Sequence, residues 1–236
     1  MFIAIDVKRL IRYAAAIILI SLFILLLFHR DNEPAETFNS VDSRTLVLDA
    51  GHGGIDGGAV SKSGIKESDI NLSIAKKTEV LAQLFAINTV MTREDDTDFY
   101  GGKDYSEREN ILKRAKIADS EQNAVLISIH QNTYPSDLVS GAEVMYAATS
   151  GSEELGLCLQ NNLILNADPQ NRRVARPAPK DLLLTRSIHC PAVLIECGFL
   201  SNPEEASKLS DNCYQLKLAA VIAASYIQYV RETSSI

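Results

Sequence analysis

At 236 residues, with 46% hydrophobic and 22% charged positions and a formal charge of −7, the chain has the material for one sizeable α/β core. Its acidic balance, without basic clusters, speaks against nucleic acid as a partner. Cys158, Cys190, Cys197 and Cys213 show no CxxC spacing, so a zinc knuckle is excluded and free thiols are expected, with Cys197 inside and a Cys158 to Cys213 pair left open.

Residues 1–30 read as a short cytoplasmic stub and an uncleaved signal anchor. Lys8, Arg9 and Arg12 precede an apolar run, Tyr13 to Phe28, interrupted only by Ser21. Sixteen helical residues rise about 24 Å, and Leu10 and Ile11 extend them toward the roughly 30 Å of a hydrocarbon core while Arg12 snorkels. The leading basic flank keeps the N-terminus in the cytoplasm and sends the remainder across, so the following domain is expected on the extracytoplasmic, cell-wall side. No small-x-small cleavage site follows the apolar run. Residues 31–43 read as a polar tether, and 44–236 as the exported domain. The first 30 residues carry +3, which leaves −10 for the rest.

The exported part alternates strand and helix. Thr45 to Ala50 is an apolar strand that runs into the glycine-rich loop GHGGIDGG. A helix is predicted from Ser68 or Asp69 to about Phe85, on the spacing of Ile70, Ile74, Leu81, Leu84 and Phe85. A short strand, Asn88 to Thr92, precedes a helix at Ser106 to Asp119 and a buried strand at Ala124 to His130. Further strands are predicted at Gly141 to Ala147, Leu182 to Thr185 and Ala192 to Gly198, with a helix at Ser152 to Leu165 and an irregular loop at Asn166 to Lys180. The chain closes in a long helix with Leu216, Ala219, Ala223, Tyr226, Ile227 and Val230 on one face. This order predicts an α/β fold with a central, mainly parallel sheet and helices on both faces.

On that scaffold the polar residues fall at strand ends. His52 follows the first strand, Glu67 sits before a helix, His130 closes a strand, and Glu196 interrupts the apolar run AVLIECGFL. The loop around His52 fits neither GxGxxG nor GxxxxGK[ST], so a phosphate cradle is not indicated. His130 alone reads equally as a core histidine, and Glu67 alone as a carboxylate favoured at a helix N-terminus. Glu196 is harder to explain structurally, because a carboxylate in an apolar strand is expensive unless paired, hydrogen-bonded or near a metal. Two imidazoles and one carboxylate make a three-ligand zinc set, with a second carboxylate left to move protons. Asp49 and Asn132 are candidates to orient the imidazoles or, equally, to hold backbone. Arg93, Arg114, Arg172, Arg173, Arg176 and Arg186 are available to read substrate carboxylates, although most of them suit structural or surface roles. His189 is a rival imidazole whose place before Pro191 suits a loop.

The segments LDAGHGGIDGGAV, with Glu67 fifteen positions after His52, then SIHQN and PAVLIECGFLSN, resemble in order the motifs of the zinc-dependent N-acetylmuramoyl-L-alanine amidases, the amidase 3 family. The likeness runs from about Thr45 to the C-terminus. It implies Zn2+ on His52, Glu67 and His130, Glu196 as the acid/base, a mixed sheet flanked by helices in the phosphorylase/hydrolase-like manner, and peptidoglycan as substrate. Gln131 and Thr133 depart from the small residues common after the histidine. The short anchored layout is similar to the germination-specific members of spore-formers, which implies removal of peptide stems from muramic acid on the way to muramic-δ-lactam in spore cortex. Another zinc hydrolase, a peptidase or deacetylase, is the rival enzyme class, although HExxH is absent. A silent wall-binding regulator is the rival non-enzyme, and an activating protein partner is left open.

Overall fold

The computed structural model describes residues 44–101 and 105–234. The anchor and tether expected over 1–43 lie outside the described residues, among which no helix is long and apolar enough to cross a membrane.

Six strands form one sheet in the order β2-β1-β3-β6-β4-β5. They are β1 (Thr45–Ala50), β2 (Asn88–Met91), β3 (Ala124–Asn132), β4 (Glu143–Tyr146), β5 (Arg176–Pro177) and β6 (Ala192–Phe199). β4 runs antiparallel to β6, and every other pairing is parallel, so the sheet is mixed and mainly parallel. The helices are α1 (Glu67–Leu84), α2 (Glu107–Ser120), α3 (Ser152–Asn162), α4 (Leu183–Ser187), α5 (Pro203–Ser210) and α6 (Asn212–Ser234), with a π-helical turn at Leu163–Ala167.

Central strands buried on both faces have no reason to alternate polar and apolar residues, which is why β1, β3 and β6 are near-continuous apolar runs. Leu46, Leu48, Ile127, Ile129, Val193 and Ile195 pack under α1, α3, α5 and α6. Val47, Leu126 and Ala192, pointing the other way, pack with Ala115 and Ala118 of α2 and with Leu184. That second layer is thinner, with only α2 and the five-residue α4 contributing helices to its core cluster. The carboxyl ends of β1, β3 and β6 are left open on this side, where parallel sheets collect ligands.

Three expectations need correction. Leu182 to Thr185 is not a strand: the helix Leu183–Ser187 brings Leu184 to one side, and Ile188, four residues on, joins it in the same cluster with Ala115 and Ala118. A four-residue apolar run carries no periodicity that separates the two states. The loop expected over Asn166 to Lys180 contains the end of the π-turn and the short strand β5. The C-terminal helix is preceded by a separate helix, α5, and buries Leu218, Ala219, Ile222, Ala223 and Tyr226, while Leu216 is exposed. The four cysteines are free, with Cys197 buried and Cys213 exposed, so the Cys158 to Cys213 pair is not formed.

Candidate active site

The loop after β1 is shaped by backbone that only particular residues tolerate. His52 itself adopts φ 59°, and Gly53, Gly54 and Gly58 lie at φ 129°, 63° and 64°. Two arginines from below hold the loop by its carbonyl oxygens. Arg93 Nε donates to Ala50 O at 2.9 Å and Arg93 Nη2 to Gly51 O at 3.2 Å, while Nη2 also ties in Ser68 O of α1 at 2.8 Å. Arg114 donates through Nη1 to Ala50 O and through Nη2 to His52 O, each at 2.6 Å. These arginines therefore position the loop, with their donors spent on backbone carbonyls and, for Arg114, on the Asp49 carboxylate as well.

Fixed in this way, His52 turns Nδ1 to Asp56 Oδ2 at 2.8 Å, and Asp56 Oδ2 also accepts from Tyr105 Oη at 2.9 Å. His52 Nε2 then lies 3.3 Å from Glu67 Oε1. His130 at the end of β3 puts Nδ1 2.9 Å from the same Glu67 oxygen. Glu67 opens α1, where the helix dipole favours a carboxylate, and is locked by the N–H of Gln131 (3.0 Å), the N–H of Ala59 (2.9 Å) and the amide of Asn71 (3.3 Å). One ligand atom from each of His52, Glu67 and His130 lies within 4.8 Å of the others.

The electrostatics follow from that packing. Burial opposes ionisation of Glu67, yet hydrogen bonds from His130 and His52 hold its carboxyl far below the usual range. Burial also opposes the charged form of His52, and Glu67 and Asp56 overcome it, raising the imidazole to about 9. The buried Glu67 anion thus favours the charged form of His52. A divalent cation meets the same demand, and two imidazole nitrogens with one carboxylate oxygen form a donor set suited to zinc with a position to spare. Gly51 completes the cradle: a Cβ there would stand 2.2 Å from the His130 ring.

Glu196 on β6 is in register with His130 on one side and Glu143 of β4 on the other. Its Oε2 is buried with no hydrogen-bond partner among the described residues. Burial pushes its carboxyl up to about 7, with His130 opposing and Glu67 adding to the rise. Above it lies a cleft of about 240 Å³, walled by Tyr105, Asn110, Ile111, Leu184 and Leu194. A larger groove of about 870 Å³ runs between Arg172, Arg173 and the start of α5, but holds none of the converging ligands, so the chemistry belongs to the smaller cleft.

The sequence profile of the N-acetylmuramoyl-L-alanine amidases, Amidase_3, matches residues 46–228. The chain belongs to this amidase family. It is 35% identical over 197 residues to the germination-specific N-acetylmuramoyl-L-alanine amidase of Bacillus subtilis, covering 81% of this chain and 82% of that one. Among solved structures it is similar to the CwlD amidase from Clostridioides difficile in complex with the GerS lipoprotein, at TM-score 0.75 and 36% identity over 79% of this chain and 98% of that one. It is also similar to AmiC2 of Nostoc punctiforme, at TM-score 0.69 and 28% identity over 80% and 98%.

In this amidase the residues singled out by sequence separate into two groups. His52, Glu67 and His130 meet, with Glu196 beside them in the sheet. Asp49 and Asn132 do not touch the imidazoles: Asp49 is spent on Arg114, Thr92 and Ser128, and Asn132 Oδ1 accepts from the N–H of Thr133. His189 is outside, 88% exposed, and bound to Asp119. The partner of His52 is Asp56, four residues away in the same loop, and that spacing in GHGGID was the signal available. Tyr105 and Gln131 carried no local mark.

Proposed function

We propose that this amidase hydrolyses the amide between muramic acid and the L-alanine of peptidoglycan stem peptides, with zinc held by His52, Glu67 and His130 and with Glu196 carrying the proton. One observation carries the assignment: a single oxygen of Glu67 stands between two imidazole nitrogens, at 3.3 and 2.9 Å, while Oε2 of Glu196, next in the sheet, is buried with no hydrogen-bond partner among the described residues. When bound, zinc supplies a Lewis acid that polarises the amide carbonyl and acidifies water. Asp56 holds the His52 ring by Nδ1 and leaves Nε2 inward, and the N–H groups of Gln131 and Ala59 keep Glu67 ionised and oriented. Glu196 takes the proton of the attacking water at its unpaired oxygen and delivers it to the departing alanine nitrogen, which leaves poorly as an anion. A carboxyl raised toward neutrality by burial suits both halves of that transfer.

The likeness to germination-specific amidases supports a role in spore cortex, where removal of the stem is a step toward muramic-δ-lactam. In the same reading residues 1–30 anchor the chain, 31–43 tether it, and 44–236 work on the wall side of the membrane. The C. difficile relative was solved with a lipoprotein, which supports a protein partner for this chain as well.

Product analysis tests the reaction. Purified wall digested by the chain should yield peptides with free L-alanine amino termini and glycan with intact glycosidic bonds, abolished by chelator and restored by zinc. Shortened stems or released acetate would reject it.

A further inference from the structure

The sheet continues past Glu196 to β4 and the edge strand β5. His130, Glu196 and Glu143 are in register across β3, β6 and β4 and share one face. One row below, Ser128, Leu194, Met145 and Arg176 are in register across β3, β6, β4 and β5, on that same face. Arg176 reaches forward, and its Nη2 donates to Glu143 Oε2 at 3.0 Å. Glu143 is buried, and its other oxygen accepts from Arg173 Nη1 at 3.4 Å. Two guanidinium groups on one carboxylate leave one positive charge uncompensated.

The two arginines are not equivalent. Arg173 is fixed, with Nε on Ser140 O at 2.9 Å and its guanidinium 4.6 Å from the centre of the Phe199 ring. Arg176 keeps its side chain 44% exposed, and Glu143 takes only one of its five N–H groups. A planar fork held from behind by a buried carboxylate and open in front is built to take a second carboxylate.

We propose that Arg176, held by Glu143, is a specificity residue that binds a free carboxylate on the peptide side of the substrate. The inference rests on the amidase reading above. The glycan offers no such group, because the lactyl carboxyl of muramic acid is consumed in the scissile amide. The stem offers one on its second residue, glutamate linked through its side chain. Arg176 is two strands from Glu196, about 10 Å at the usual strand spacing. Two extended residues span about 7 Å, and the forward reach of Arg176 closes the rest. The substrate therefore lies along the row, with its amide at the His52–Glu67–His130 end and its peptide running toward β4 and β5.

The test uses the zinc-supplemented full chain and two synthetic ligands: muramoyl-L-alanyl-D-glutamate with a free α-carboxylate, and the same compound with that carboxylate amidated. Wild type should bind and cleave the acid about tenfold better than the amide, with the difference mainly in KM, as expected for one charge-assisted contact. Arg176→Gln should bring the ratio close to one, and Arg176→Lys should restore part of it. Arg172→Gln, at an arginine that among the described residues bonds the carbonyls of Pro169 and Asn171, should keep the wild-type ratio. The ratio is an internal control for folding, since a misfolded variant lowers both ligands together. Equal or absent binding of the two ligands by wild type, or an unchanged ratio in Arg176→Gln, overturns the proposal. Preferential binding without turnover would instead fail the amidase reading and keep this one.

Discussion

Arg114 Nη1 lies 2.7 Å from Asp49 Oδ1, and both side chains are buried beneath the loop that carries His52. The same guanidinium holds the carbonyls of Ala50 and His52, so one ion pair joins the end of β1 to the site it serves. Thr92 and Ser128 hydroxyls, each at 2.6 Å, complete the carboxylate. Burial alone would raise the Asp49 carboxyl, but Arg114 and these hydroxyls outweigh it and lower the group from 3.8 to about 2.

A group whose folded pKa is depressed stabilises the fold above its ordinary pKa and loses that stabilisation as pH falls through the folded value. Asp49 should therefore contribute about 2 kcal/mol at neutral pH, lost between about pH 4 and pH 2. Asp49→Asn, which also strands the Arg114 charge, should unfold at lower urea at pH 7. The gap in urea midpoint should narrow as pH drops below 4. A gap of constant size down to pH 2 would remove Asp49 from this role.

Asp56 is bonded to His52 Nδ1 and to the Tyr105 hydroxyl. A carboxylate behind a ligating imidazole fixes its tautomer and makes it a better donor, and such partners are worth about 10- to 100-fold in metal affinity. Asp56→Asn is thus expected to weaken zinc by that factor in competition with a chromophoric chelator. Tyr105→Phe, which leaves the Asp56–His52 contact in place, should weaken it less. If Asp56→Asn binds zinc as wild type does, His52 is oriented by its backbone alone.

Much of this arrangement was legible because strong local patterns and the fold agree. Three apolar runs too continuous to alternate gave β1, β3 and β6, and a parallel sheet brings the residues at their carboxyl ends together whatever lies between. His52, His130 and Glu196 were readable for that reason, and Glu67 because it opens a helix. Pieces set by tertiary packing were not readable in the same way. Leu183–Ser187 is too short to show a period, and Arg114 looks on sequence like any charged residue of a polar helix. Helix α5 did leave a sign, with Asn202 capping the N–H groups of Glu204 and Glu205 and Pro203 in its first turn, but its polar sequence has no apolar run to draw attention. The Arg176–Glu143 contact depends on strand register, which hydrophobicity does not reveal.

The glycines around the site differ in what they allow. A Cβ on Gly51 would meet the His130 ring at 2.2 Å, and the backbone cannot yield, because Gly51 N–H donates to Ile129 O and its carbonyl accepts from Asn71 and Arg93. Gly51→Ala should therefore displace His130 and lose zinc. Gly64 has nothing within 4 Å of a Cβ but adopts φ 85°, so Gly64→Ala carries only the left-handed penalty, roughly 1–2 kcal/mol, and should keep its zinc. Zinc content and melting temperature of the two variants separate crowding from backbone strain. Full zinc in Gly51→Ala would show that His130 can bind the metal without lying against the backbone of Gly51.

Glu196 can be tested on two axes that do not share a cause. In its proposed role as proton carrier it should be needed for turnover and not for the metal, so Glu196→Gln is expected to retain zinc and lose about 10²- to 10⁴-fold in kcat. The second axis is stability without metal. Burial raises this carboxyl from 4.5 to about 7, so above pH 4.5 the unfolded chain gives up a proton that the folded chain keeps. The unfolded state then binds fewer protons, and the folded state loses stability as pH climbs from about 4.5 to about 7. Glutamine at this position removes that loss while filling the same space. Chelator-treated Glu196→Gln should therefore match wild type near pH 4.5 and exceed it in urea midpoint at pH 8, where wild type carries a buried charge with no hydrogen-bond partner on Oε2. A variant that loses turnover yet gains metal-free stability would be sacrificing function for fold, as expected of a carboxylate kept for chemistry. Wild-type turnover in Glu196→Gln would dismiss the proton-carrying role, and identical pH profiles for the two metal-free proteins would show that Glu196 is hydrated rather than buried.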